Sequence, residues 1–247
     1  MQFIQYPKET VSPTFARKIM DLERRKAILN KIYQIYDDFI KDYDLACRKG
    51  CSGCCTRNVT LTGLEAYGII EYLKENNRAD LLQRLKDDKD KKRFQPKIST
   101  NQMADLVARD ESLPIEPEVD PVWSSCPFLE NDICPIYEVR PFECRSFCSK
   151  EYCEEDGFAD MDPFVMSVNN LFKQYIEHLD SFGVSGNFID LLLYLEESGN
   201  KEIFRSSEQK IYPRLVNNRP AKVLMIPPEH QEKIKPIYDK LLSFKLN

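Results

Sequence analysis

Cys47-Arg48-Lys49-Gly50-Cys51-Ser52-Gly53-Cys54-Cys55 is the stretch on which the reading of this chain turns. Four thiols within nine residues, beside two glycines, can point at one soft cation from a single tight loop. A second group follows far downstream, from Cys126 through Cys134 and Cys144 to Cys148, with Cys153 trailing behind. Two such groups can close around a shared or paired inorganic centre. The expectation is a metal held through sulfur, in a mainly α fold: a helical domain wrapped around a cysteine-rich, loop-heavy metal-binding core with a small hairpin.

Two other uses of cysteine compete with this. A disulfide scaffold suits short secreted chains with even cysteine counts, whereas this one has 247 residues and nine cysteines. Its opening MQFIQYPKETVSPTFARKIMDLERRK has no apolar run of the export type, so a reducing, cytoplasmic setting is expected. Buried structural thiols would scatter on helical or strand periodicity, not crowd beside Gly50 and Gly53.

Composition narrows the function classes. The chain is 42% hydrophobic and 30% charged, which is ordinary for a globular protein long enough to bury a sizeable core. A single domain over 1–247 is expected, with a metal-binding region at about 47–153 and a helical part at about 160–247. No run approaches the roughly 18 apolar residues that span a bilayer, so no membrane is expected as partner. A net charge of −5 argues against nucleic acid as a partner. The basic run Lys89, Lys91, Lys92, Arg93 alternates with Asp87, Asp88 and Asp90 and reads as a solvated helix face. No GxGxxG, Walker A or HExxH pattern is present. The two histidines, His178 and His230, lie far from the cysteines in sequence and read as surface or capping residues. The centre is then all-sulfur, or completed by a carboxylate or a small molecule.

Around the cysteines the pattern is helical. Phe15, Ile19, Leu22, Ile28, Ile32, Ile35, Phe39 and Ile40 recur at three- to four-residue steps, predicting a helix over 14–46 that delivers Cys47. Val59-Thr60-Leu61 reads as extended, and Thr62 with Glu65 as a capping box opening a helix through Leu73. Further helices are expected at 79–93, 100–110, 163–182 (started by Asp162-Pro163), 187–198 and 229–245, the last kinked or shortened by Pro236. Between Cys126 and Tyr137, apolar residues flank the polar turn Glu130-Asn131-Asp132, predicting a small hairpin. Cys144 and Cys148 are spaced i, i+4, which places both sulfurs on one face if the segment is helical.

The cysteine loop, the helix start Leu61-Thr62-Gly63-Leu64-Glu65-Ala66 and the run CPFLENDICPIYEVRPFECRSF together resemble the YkgJ-like cysteine-cluster family, over roughly residues 47–148. The resemblance implies a zinc- or iron-chelating domain. Position by position it carries over to Cys47, Cys51, Cys54, Cys55, Cys126, Cys134 and Cys144, with Arg140, Pro141 and Arg145 matching around the last. Here the first loop departs in detail, being Cys47-x3-Cys51-x2-Cys54-Cys55. Cys148 lies outside the aligned part and joins the candidate ligands on spacing. Flagellin lysine N-methylases share this domain, so the resemblance also implies an alternative: an enzyme methylating lysine on a basic protein, using the metal centre and S-adenosylmethionine.

Seven or eight thiolates exceed the four that one structural zinc takes. Two zinc sites would use about eight, and one [4Fe–4S] cluster four, with spares. Adjacent Cys54 and Cys55 are expected to diverge, one facing a centre and the other bridging or standing behind it. Prolines at 127, 135 and 141 stiffen the ligand loops, and Gly50 and Gly53 let backbone N–H groups approach sulfur. The thiol excess and the resemblance favour an iron–sulfur cluster over zinc. Arg140 and Arg145 either balance cluster charge or pair with Glu138 and Glu143. Tyr137 reads as a core aromatic, with packing over the site as the alternative. The proline-rich stretch 94–160 is expected to lean on the inorganic centre in place of a hydrophobic core.

Overall fold

The structure, a computed structural model, describes residues 4–5, 22–115, 125–153, 159–206 and 213–244. Of these, 53% are helical, against two small antiparallel sheets, so the fold is mainly α. In chain order the elements are β1 (Ile4–Gln5), α1 (Leu22–Ile40), β2 (Thr60–Thr62), α2 (Gly63–Glu75), α3 (Ala79–Asp88), α4 (Thr100–Ala108), α5 (Phe142–Ser146), α6 (Pro163–Leu179), β3 (Val184–Asn187), α7 (Phe188–Glu196), α8 (Ser198–Ser206), β4 (Leu215–Asn217), β5 (Val223–Leu224) and α9 (Gln231–Leu242). A 3₁₀ turn at Tyr137–Val139 precedes α5. Among the described residues, no helix is long and apolar enough to cross a membrane.

Helix α1 forms because Ile28, Leu29, Ile32, Tyr33 and Tyr36 fall on one buried stripe. It stops at Ile40, short of the expected Ala46; the expected start at 14–21 lies outside the described residues. No basic residue closes its last turn, and the carboxylates of Asp37, Asp38, Asp42 and Asp44 crowd the negative end of the helix dipole. Helix α2 starts as its sequence predicts. Thr62 Oγ1 accepts from the Glu65 N–H at 3.4 Å, and the Glu65 carboxylate accepts from the Thr62 N–H at 2.8 Å.

Helix α3 ends at Asp88 rather than at 93, and Arg93 is the cause. Its guanidinium turns back to donate to the carbonyls of Lys89 (2.7 Å) and Lys91 (2.8 Å), and it forks onto Asp190 at 2.6 and 2.9 Å. Arg93 is therefore a buried clamp between α3 and α7, not part of a solvated face. Helix α4 begins at the Ser99 cap. Asp162 accepts from the Phe164 and Val165 N–H groups to start α6, the most enclosed helix of the molecule. The helix expected at 187–198 is α7, which ends at Glu196 because Glu197 is extended, and α8 follows from Ser198 as a further helix that the sequence reading did not include. Helix α9 runs through Pro236, and the carbonyl that loses its donor is that of Glu232 on the exposed first turn. Residue 245, the expected end of that helix, lies outside the described residues.

Strand β3 pairs with β2 and β4 on either side, Leu61 opposite Gly186 and Gly186 opposite Leu215. A Cβ on Gly186 would stand 2.4 Å from Leu215 Cδ2, so glycine permits the close pairing. Strand β1 pairs with β5. One apolar cluster runs from Ile28 on α1 to Leu241 on α9.

The proline-rich middle is anchored in that cluster, which corrects the expectation that it lacks apolar support. Phe128, Ile136 and Phe142 are at most 2% exposed. Phe128 meets Phe188 edge-on at 5.0 Å, and Phe142 stacks on Phe172 at 5.6 Å. Burying each such side chain is worth about 1.5–3 kcal/mol. Both phenylalanines follow a proline, in Cys126-Pro127-Phe128 and Arg140-Pro141-Phe142, so the units that present the cysteine face also pin it to the helices.

Candidate metal centre

The loop after α1 is shaped by tight backbone turns. The Cys51 N–H donates to the Arg48 carbonyl at 3.0 Å, with Gly50 at φ 95°, a left-handed conformation that favours glycine. The Cys55 N–H donates to the Ser52 carbonyl at 2.9 Å. Downstream, Asn131 and Asp132 both have positive φ and form a two-residue hairpin turn closed by paired bonds between Glu130 and Ile133. The turn is thus one residue shorter than expected. Arg78 (2.6 Å) and Arg84 (2.7 Å) hold Glu130 and fasten the hairpin to α3.

The two cysteine groups are stitched together. The Cys126 N–H donates to the Cys55 carbonyl at 2.8 Å, Thr56 bridges Ser125, and Ser52 Oγ donates to Asp132 at 2.7 Å. At the other end of the loop, the Ala46 N–H donates to the Ser149 carbonyl at 2.9 Å, and the Ser149 N–H to Cys47 Sγ at 3.1 Å. The result is a cavity of about 640 Å³ whose wall carries Cys47, Cys51, Cys54, Cys55, Cys126, Cys134, Cys144, Cys148 and also Cys153. All nine are free thiols. Among the described residues, no three His, Cys, Asp or Glu side chains converge with the geometry of a single-ion site.

Electrostatics follow from burial. Burial pushes Cys126 and Cys148 up to about 11 and Cys144 well above the usual thiol range. Cys54 is also raised strongly, first by its neighbour Cys55 and then by burial. Cys47 and Cys134 are raised by burial, against opposing backbone N–H groups of Ser149 and Ile136. The Phe128 N–H plays the same part at Cys126. In both Cys126-Pro127-Phe128 and Cys134-Pro135-Ile136, a proline without a donor is followed by an N–H aimed back at sulfur.

The expected helical pairing of Cys144 with Cys148 does not form. Helix α5 ends at Ser146 and Phe147 is extended, yet both sulfurs reach the cavity wall. Arg140 and Arg145 line the cavity, and of the two readings of them the pairing with the Glu138 and Glu143 carboxylates does not form. Arg140 lies over the Tyr137 ring at 3.7 Å and donates to the Tyr137 carbonyl, and it opposes the rise at Cys134. Arg145 pairs with Asp37 at 3.2 Å and lies over Tyr33, while Glu143 pairs with Lys173 and Glu138 with Lys49. Tyr137 is half-buried on the cavity wall rather than in the core. His178 Nδ1 accepts from the Ala221 N–H and His230 Nδ1 bonds Ser167 Oγ; both are half-buried structural groups away from the cavity.

Two features were missed in the sequence. Cys153 belongs to the cavity wall, to which the packing of residues 148–153 on the first loop brings it, and no spacing rule marked it. Glu65, read only as a cap, also accepts from Tyr33 Oη (2.8 Å) and from the Phe142 N–H (2.7 Å), fixing the start of α5 two residues before Cys144. Comparison with family models, curated proteins and solved structures returned no match to this chain.

The donor set fits a thiophilic metal group. Nine cysteines line one cavity, burial raises Cys47, Cys126, Cys134, Cys144 and Cys148, and backbone N–H groups approach three of the sulfurs.

Proposed function

We propose that this chain binds metal through its clustered cysteines, as the resemblance to the YkgJ-like family implies, and holds an iron–sulfur centre in a reducing, cytoplasmic setting. The observation that carries this reading is the gathering of nine free thiols on the wall of one cavity. The residues that would hold the centre are Cys47, Cys51, Cys54, Cys55, Cys126, Cys134, Cys144 and Cys148. Such a centre supplies one-electron redox chemistry. The chain contributes N–H groups that stabilise thiolate charge at Cys47, Cys126 and Cys134, and Arg140 adds positive charge beside Cys134. Zinc is the competing metal, on the same ligands.

Cys51→Ser and Cys144→Ser, one from each sequence group, test the reading. Each is expected to lower bound metal per folded chain. A full metal complement in both variants would refute a centre built from the two groups.

The methyl-transfer reading has one observation in its favour. Beyond the sulfurs the cavity wall carries apolar and aromatic residues, among them Tyr43, Leu45, Tyr137 and Phe147, beside charged Arg48, Arg140 and Glu143, a mixture that suits a small molecule beside a centre. Anaerobic calorimetry with S-adenosylmethionine tests it: saturable binding supports the reading, and no heat of binding removes it.

A further inference from the structure

We propose that the cysteines form two metal centres, one around Cys47, Cys51, Cys148 and Cys153, the other around Cys126, Cys134 and Cys144 with Cys54 or Cys55. This rests on the metal-binding reading above and adds Cys153 as a ligand.

The first cysteine loop is gripped at its two ends by different segments of the chain. Its start lies against residues 148–153. Ser149 exchanges backbone contacts with Ala46 and Cys47, at 2.9 Å to the Ala46 N–H and 3.1 Å to Cys47 Sγ. Further along, Arg48 lies over the Tyr152 ring at 5.3 Å, and the position of a Cβ on Gly53 is 3.9 Å from Cys153 Cβ. The end of the loop lies instead against residues 125–134, through the Cys126–Cys55 bond of 2.8 Å, the Thr56–Ser125 bridge and the Ser52–Asp132 bond. Each flanking segment carries its own cysteines, so the sulfurs are sorted by the backbone before any metal is considered.

The remaining cysteines follow the same division. The Cys51 N–H is bonded to the Arg48 carbonyl near the start of the loop, and α5, which carries Cys144, follows the turn in which the Tyr137 N–H donates to the Cys134 carbonyl at 3.2 Å. Four thiolates satisfy one zinc or one [4Fe–4S] cluster. Nine thiols on one wall therefore supply two such centres with one to spare, and the spare falls at the adjacent pair Cys54-Cys55.

The test is metal and acid-labile sulfide per chain in full-length protein purified without oxygen, with electron paramagnetic resonance of the reduced form. Two clusters give about eight iron atoms per chain and one gives about four. Cys153→Ser is expected to remove about half the iron and one paramagnetic signal. Cys134→Ser should remove the other half, with circular dichroism confirming that each variant is folded. About two zinc ions per chain without sulfide, halved by either variant, would also support two centres while refuting the iron–sulfur assignment. A single centre in the unmodified protein, or a Cys153→Ser variant with its full complement, overturns this proposal and leaves metal binding standing. Folded protein without any metal overturns both.

Discussion

In the helical body, α1, α2, α6 and α7 bring Tyr36, Leu64, Ile70, Phe172 and Leu192 together with no exposed surface, and their polar groups are spent in helices. Across the cysteine face, residues 47–58 and 125–153 contain one five-residue helix, a hairpin turn and a 3₁₀ turn, with thiols where the body has methyl groups. The body is stabilised by apolar area removed from water. The face is held by backbone bonds between its own loops and by Phe128, Ile136 and Phe142 reaching into the body. The difference places most of the molecule's buried apolar area on one side and its thiols on the other.

The comparison can be broken most forcefully from the body. Phe172→Ala removes a side chain stacked on Phe142 and edge-on to Tyr36, and is expected to cost about 3–5 kcal/mol in denaturant unfolding. A loss under about 1 kcal/mol would show that the body is not the stabilising half.

Removal of the proposed metal probes the other side. Hydrogen exchange should rise at 47–58 and 125–153 after chelation, while α6 and α7 keep their protection. Equal protection with and without metal would mean the centre carries no structural load.

Glu65→Gln sharpens the boundary between the halves. Its carboxylate accepts from Thr62, Tyr33 and the Phe142 N–H, so one amide cannot satisfy all three donors. A cost of about 1–3 kcal/mol is expected, with faster exchange at Phe142 as its local signature. Unchanged exchange there would detach Glu65 from the cysteine face.

Asp180 gives a smaller, pH-dependent effect within the body. It accepts from Arg25 at 3.0 Å and from the Leu64 N–H at 3.1 Å, yet burial pushes its carboxyl up, to about 7. The folded state therefore holds this proton more tightly than the unfolded chain. Its contribution to stability is complete below about pH 4 and is lost as pH rises through about 7. Asp180→Asn should flatten that part of the stability–pH curve; an unchanged slope assigns it elsewhere. His178→Ala, the smallest change, should leave metal content as it was.

Local signals were legible in the sequence where the partner is a few residues away. The Thr62–Glu65 box and the Asp162-Pro163 start are complete within their own turns, and both helices begin where those residues stand. Arg93 was misread because its partner Asp190 is 97 positions distant, and alternating charge looks the same whether solvated or folded back. The i, i+4 spacing of Cys144 and Cys148 implied a helix that the extended Phe147 ends. Clustering marked eight of the cysteines that line the cavity, but Cys153 reaches it through the packing of residues 148–153 on the first loop, a tertiary contact without a spacing rule.

The central claim is that the nine thiols surround a bound inorganic group. Its most direct test is the iron, zinc and acid-labile sulfide content of unmodified protein purified without oxygen, read together with its visible spectrum. The account predicts brown protein with iron and sulfide in near-equal amounts. Colourless, folded protein containing neither iron nor zinc would contradict it.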